Sequence, residues 1–231
     1  MVSTHEVALV GREEVAASTM AFRLSRPVGF DFQAGQALTL SLIEPPAEPN
    51  SAQRIFSLAS APGDSELAVA TRMRAGSAFK RALQALPLGS KVKIRGPRGV
   101  MTLHEDQARA AVFIAGGIGI TPFMSMLRQA AHDRIARPLL LLYSNRRPQD
   151  APFLAELEAM AHAIPAFRLL ARMTDAQGLV DASTLRSFVG GAAAPIYYLA
   201  GPPAMVDAMK AIARHAGAAD SDVRSEEFYG Y

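Results

Sequence analysis

"VFIAGGIGITPFMSML", Val112 to Leu127, is the stretch on which the fold turns. It runs close to the G-x-G-x-x-G fingerprint of dinucleotide-binding loops, but Pro122 stands where the third glycine would be. It also belongs to an uncharged run, Ala110 to Leu127, about as long as the shortest membrane span. In a span, Gly116, Gly117, Gly119, Thr121 and Pro122 would sit at the bilayer centre, where freed backbone groups have no water to bond. Two shorter elements suit these residues better. Ala111 to Ala115 reads as a buried strand and Gly116 to Ile120 as a tight turn. Pro122 to Arg134 then reads as a helix with Phe123, Leu127, Ala130 and Ala131 on one face. Thr121 is the expected N-cap and Pro122 the first helical residue, where a missing amide hydrogen costs nothing and the fixed φ suits the helix. Glycines before such a start let the backbone approach a ligand, and free amides at the positive dipole end favour an anion such as pyrophosphate. A strand-to-helix turn with no ligand uses the same residues, and this stretch alone does not separate the two.

Downstream the rhythm continues. The apolar strands "AAVFIA", "PLLLLY" and "PIYYLA" alternate with the helical stretches "TPFMSMLRQAAHD", "APFLAELEAMAHA" and "PAMVDAMKAIARHA", as a parallel sheet covered on both faces requires. Upstream it differs. "TMAFRLSRP", "QALTLSLI", "RIFSLAS", "ELAVATRM" and "KVKIRGP" are short strands separated by turn residues, which suits a small antiparallel barrel or sandwich. Glu44 to Asn50 reads as a loop. One helix interrupts the strands: "SAFKRALQALPLG" has Ser77 as cap, Phe79, Leu83 and Leu86 at helical spacing, and a Pro-Leu-Gly stop. Two domains are expected, 1–107 and 108–231, with the boundary between Leu103 and Ala110.

Composition narrows the classes. Half of the 231 residues are hydrophobic and 19% are charged, so a substantial core is expected. The absence of cysteine excludes disulfides, a cysteine nucleophile and a cysteine-ligated iron–sulfur cluster within these residues. Five histidines lie far apart, which suggests no metal site. The net charge is +3 and no long basic run carries interleaved aromatics, so nucleic acid is not an expected partner. The first residues have no cationic start or sustained apolar run, and a cytoplasmic protein without a membrane span is expected.

Four further stretches carry chemistry. In "RIFS", Arg54 to Ser57, alternation puts Arg54 and Phe56 on one face, so a cation and a ring could meet one ligand; a surface arginine beside a core phenylalanine has the same pattern. In "RMRAGSAFK", Arg72, Arg74 and Lys80 surround a helix start with Gly76 before its cap, Ser77, which suits a diphosphate or simply a solvated, capped helix. "YSNRRPQD" follows the second strand of the α/β half. Such strand ends carry an acid for an unmodified ribose and basic groups for a 2′-phosphate, so Ser144, Asn145, Arg146 and Arg147 lean toward NADPH over NADH. "LAGPPAM", Leu199 to Met205, is a second glycine turn with a proline-started helix, opening at the same sheet edge.

Taken in order, these stretches resemble the ferredoxin-NADP reductase family of flavoproteins over nearly the whole chain. "RIFS" (Arg54, Ile55, Phe56, Ser57) is similar to that family's R-x-[YF]-[ST] flavin motif. "GSAFK" (Gly76, Ser77, Ala78, Phe79, Lys80) is similar to its flavin-diphosphate helix start. "AGGIGITPF", with Gly117, Gly119, Thr121 and Pro122, resembles its nucleotide loop, and "GPPAM", with Gly201, Pro202, Pro203 and Met205, its nicotinamide-side turn.

The resemblance implies a six-stranded antiparallel flavin-binding barrel followed by a parallel-sheet, nucleotide-binding α/β domain. It implies FAD in the first, NADPH or NADH in the second, and hydride passing from nicotinamide to flavin. Arg54 would meet flavin phosphate, Phe56 pack on the flavin and Ser57 lie near N5, which requires the strand to end or bulge at Ser57. Phe228, Tyr229 or Tyr231 would cover the flavin face, and Glu227 is a candidate for proton handling. Ala200 replaces a cysteine common before the "GPP" glycine. With no cysteine-rich segment present, the resemblance implies a separate electron acceptor such as ferredoxin, flavodoxin or an iron–sulfur partner. Two other readings stand beside it: a reductase of free flavin, and a flavin-binding relay subunit of a larger complex.

Overall fold

The structure, a computed structural model, describes residues 2–48, 51–192 and 194–229. In the first half β1 (Ser3–Ala16), β2 (Thr19–Ser25), β3 (Ala37–Leu42), β4 (Gln53–Ser57) and β5 (Glu66–Arg72) precede α1 (Ala78–Ala85) and β6 (Lys91–Arg98). The six strands form one antiparallel sheet in the order β4-β3-β6-β1-β2-β5. An isolated bridge from Leu58, just past β4, to Val69 of β5 links the two edges and curls the sheet into a barrel. Period-2 alternation sends Leu9, Phe22, Leu24, Leu38, Leu40, Val69 and Ile94 inward, where Phe79 and Leu83 of α1 join them. Each such side chain contributes roughly 1.5–3 kcal/mol on burial, so this cluster holds the short strands together. The long β1 was not expected from the sequence, although Val7 and Leu9 alternate within it. Residues 44–48 carry no strand or helix, and Pro49 and Asn50 lie outside the described residues.

In the second half β7 (Ala111–Gly116), α2 (Thr121–His132), β8 (Leu139–Asn145), α3 (Leu154–Ala163) and β9 (Phe167–Met173) are followed by α4 (Thr174–Gln177) and α5 (Ala182–Val189). Then come β10 (Ile196–Gly201), α6 (Pro203–His215) and β11 (Val223–Glu227). The five strands are all parallel, in the order β11-β10-β7-β8-β9. Both faces are covered, which explains the unbroken apolar run of β7. Ala111, Phe113 and Ala115 pack with Phe123 and Leu127 of α2, while Val112 and Ile114 pack with Leu185 of α5 and Val206 of α6. No helix among the described residues is long and apolar enough to cross a membrane.

The decisive stretch folds as strand, turn and helix, with one correction. A 3₁₀ turn over Gly117–Ile120 runs directly into α2, so Ile120 occupies the cap position and Thr121 is already helical. Thr121 Oγ1 donates back to the Ile118 carbonyl at 3.1 Å instead of capping, because the 3₁₀ turn has taken over the first turn of the helix. Pro122 is consequently the second helical residue, and the helix ends at His132.

The connection from β6 to β7 is pinned at His104. Its ring Nε2 lies 3.1 Å from the Arg109 carbonyl and must donate to it, which leaves Nδ1 to accept from the Tyr198 hydroxyl at 2.8 Å. The same hydroxyl accepts the His104 backbone N–H at 2.8 Å, and Arg137 Nη1 donates to the His104 carbonyl at 2.7 Å.

Candidate functional site

The site begins with an edge strand. β4 pairs only with β3 inside its sheet, in regular register through Ala37–Ser57, and the strand ends at Ser57 without a bulge. A cleft of about 500 Å³ wraps this edge, so residues of both strand faces reach it: Arg54 and Phe56 from one, Ile55 and Ser57 from the other. Phe56 is 8% exposed and belongs to the barrel core, its ring 6.1 Å from that of Phe79. Ile55, 55% exposed, is the larger apolar surface offered to a ligand. Ser57 is buried.

The opposite wall is cationic. Arg72 and Arg74 follow from β5, and α1 starts under a cap in which Ser77 Oγ accepts the Lys80 N–H at 3.4 Å. Arg54 lies over the Phe79 ring at 5.5 Å, and Lys80 Nζ donates to the Arg72 carbonyl at 2.7 Å. Burial, then the charges of Arg74 and Arg54, lower the Lys80 pKa to about 8. The described residues lining this cleft include four cations and no carboxylate. Such a wall is electrostatically frustrated until an anion enters it.

The α/β half closes the cleft with Ile118 of the glycine turn, Thr121 at the start of α2, and Phe228 and Tyr229 beyond β11. The Phe228 N–H donates to the Gly201 carbonyl at 2.9 Å, and its side chain packs on the core cluster containing Tyr198. Tyr229 is 79% exposed, and its hydroxyl donates to Glu227. Tyr231 lies outside the described residues.

A second cleft of about 670 Å³ opens at the carboxyl edge of the parallel sheet, lined by Gly116, Gly117, Ser144, Asn145, Arg146, Pro202 and Met205. Arg72 and Arg74 line it too and join it to the first. Of the expected basic pair, only Arg146 faces this space. Arg147 turns to Asp150, with bonds of 2.9 and 3.2 Å, and holds that carboxyl below the usual carboxylate range. Asn145 is 6% exposed, and neither amide atom has a hydrogen-bond partner among the described residues.

The glycines divide their duties. Gly117 adopts φ +53, a left-handed conformation that glycine enters without strain. Gly119 lines neither cleft; a Cβ there would stand 2.2 Å from the Ala200 carbonyl oxygen, so glycine is demanded by packing of the turn on β10. Pro203 opens α6, while Ala78 and Pro122 are buried in their helices and position neighbours rather than line a cleft.

The C-terminal strand corrects one expectation. Glu227 is held 3.8 Å from Lys210 and bonded by Tyr229, and it lines neither cleft. Glu226 alternates onto the strand face shared with Arg224 and Phe228. Burial pushes its carboxyl up, and it lines a separate cavity of about 650 Å³ with Ala37, Met101 and Arg224, not either cleft.

Among the described residues no cluster of His, Cys, Asp or Glu could hold a metal ion. Comparison with known proteins supplies the lineage. An oxidoreductase NAD-binding domain model matches residues 113–211. Ferredoxin–NADP reductase B of Sorangium cellulosum is 31% identical over 212 residues, covering 84% of each chain. The reductase component 2 of terephthalate 1,2-dioxygenase from Comamonas is 28% identical over 217 residues, 89% of this chain; this chain spans only 62% of that relative's length. A solved ferredoxin NADP+ reductase from Neisseria gonorrhoeae, with FAD and NADP bound, shares the fold at a TM-score of 0.83 and 18% identity, over 97% of this chain and 98% of its own. This chain belongs to the ferredoxin-NADP reductase family of NAD(P)H-dependent oxidoreductases.

Proposed function

We propose that the first cleft holds FAD, that NADPH occupies the second, and that the chain passes electrons from the nucleotide through the flavin to a separate acceptor protein. The carrying observation is the carboxylate-free cationic wall around a capped helix start, with Arg72 and Arg74 shared between two contiguous clefts. The reductase components among the relatives support delivery to a partner protein.

On this reading Arg54, Arg74, Lys80 and the amides after Ser77 hold the diphosphate, and binding of the anion relieves their mutual repulsion. Ile55, with Phe228 across the cleft, presents apolar surface to the ring system, and Ser57 supplies the polar group at its reactive edge. When bound, the flavin supplies an acceptor for hydride that can release electrons singly or in pairs. The protein's part is alignment. Ile118 of the turn over Gly117–Ile120 and Thr121, the first residue of α2, line the same cleft as Ser57 and would exclude water there. Arg146 and Ser144 meet the ribose phosphate of NADPH.

The test is flavin retention. Arg54→Ala and Lys80→Met should each emerge from gel filtration with less than about a tenth of the wild-type flavin per chain, the loss of a charged hydrogen bond costing about 1.5–3 kcal/mol. Unchanged flavin content in both variants would remove the diphosphate site.

A further inference from the structure

We propose that Arg128, which lines neither the flavin nor the nucleotide cleft, is the positioning residue that fixes the approach of the nicotinamide to the flavin. The proposal rests on the function argued above and adds the element that holds the two halves in register.

Arg128 sits on α2, the helix that grows out of the glycine turn, and its guanidinium makes a three-way junction. Nη1 donates across to the Ala59 carbonyl of the barrel half at 2.8 Å, only two residues past Ser57. Nε and Nη2 form a two-pronged pair with the Glu156 carboxylate on α3, both at 2.7 Å. Its Cζ lies over the Phe153 ring, 5.3 Å from the centroid. The side chain is 21% exposed, so the paired fork is partly desolvated and geometrically specific.

The junction reaches the reacting site from both sides. On the barrel side, the segment that receives the bond is the direct continuation of β4, and Ser125, one turn before Arg128, donates to the next carbonyl, Ser60, at 2.6 Å. On the nucleotide side, Phe153 is held at φ 60, a left-handed conformation that a bulky residue adopts only when its surroundings impose it. The preceding carbonyl, Pro152, accepts from the Tyr143 hydroxyl at 3.1 Å, which also lies 3.1 Å from the Gly117 carbonyl. The Arg128 guanidinium thereby joins the segment after Ser57 to the α3 start and to the Tyr143 contact with the Gly117 turn, beside the parallel Ser125–Ser60 bond. Lysine keeps the charge and loses the fork, so the geometry calls for arginine specifically.

The test separates alignment from binding. Arg128→Ala, Arg128→Lys and Glu156→Gln are made in the full chain. Each is measured for flavin content, for NADP+ dissociation constant, and for anaerobic flavin reduction by saturating NADPH in rapid mixing. The shift that NADP+ produces in the flavin visible spectrum reports ring approach without turnover. The expected result for Arg128→Ala is about a 100-fold slower reduction, the scale of a 1 Å misplacement. Its spectral shift is lost, while flavin content and NADP+ affinity stay within about threefold. Arg128→Lys and Glu156→Gln fall between it and the wild type, and they decide the matter by the same criteria if Arg128→Ala does not fold. Reduction within twofold of wild type in the folded variants overturns the proposal, as does a rate loss matched by equal losses of flavin and nucleotide binding. A wild-type protein that NADPH does not bleach overturns the function itself, a distinct outcome.

Discussion

A Cβ on Gly119 would stand 2.2 Å from the carbonyl oxygen of Ala200, so the glycine turn and the last central strand are packed backbone to backbone. Gly119→Ala must push the turn off β10, and backbone cannot yield as a side-chain tip can. Overpacking of this kind costs about 1–3 kcal/mol. The variant is expected to melt several degrees lower and to lose NADPH-driven flavin reduction while still retaining flavin, because the barrel wall is untouched. Thermal melting and flavin content together check it; an unaltered melting point would mean that the turn is looser than the packing shows.

Arg146 and Arg147 are adjacent in sequence but part company in the fold, one facing the nucleotide cleft and the other locked to Asp150. Arg146→Ala should raise the KM for NADPH about tenfold or more, as loss of a charged hydrogen bond implies, with little change for NADH. Arg147→Ala, which leaves the Asp150 carboxylate of the same cleft unpaired, should weaken NADPH less than Arg146→Ala does. Steady-state kinetics with the two nucleotides decide it, and equal effects from the two variants would contradict the assignment.

Lys80 gives the flavin site a pH signature. Its pKa is lowered to about 8, by burial first and then by Arg74 and Arg54, so the flavin-free protein carries the charge below that pH and loses it above. A bound diphosphate favours the charged form, which raises the pKa in the complex. Affinity for added FAD should therefore be flat below about pH 8 and fall as pH rises beyond it. Lys80→Met should abolish that dependence. Fluorescence titration of the stripped protein across this range measures it.

His104 sets an acid limit on stability. Burial is the largest cause lowering its pKa, and the accepting Nδ1 would lose the Tyr198 bond on protonation. A histidine whose folded pKa lies below 6.5 binds its proton more readily when unfolded, so its contribution to stability is complete above pH 6.5 and is lost as pH falls below it. Thermal melts from pH 7.5 to 5 should show a decline that His104→Gln flattens.

Much of this molecule is legible in its sequence, and the omissions share a cause. β7, β8 and β10 announce themselves because both faces are buried and nearly every residue is apolar. β11 carries Arg224, Ser225, Glu226 and Glu227 on an edge, and its charges conceal a half-buried strand held by backbone pairing with β10. Arg54, Arg72, Arg74 and Lys80 could be named from spacing, but their convergence on one cleft depends on a barrel closure that no local pattern encodes. The Arg147–Asp150 pair is local and was open to reading at its i,i+3 separation.

The central claim is that nicotinamide reduces a flavin held between the two halves. Its most direct test is the anaerobic visible spectrum of the purified, flavin-loaded protein before and after NADPH and, separately, NADH. Bleaching of the flavin bands, faster with NADPH, is the predicted result. A protein that remains colourless after FAD is supplied, or a bound flavin that neither nucleotide bleaches, would contradict the account.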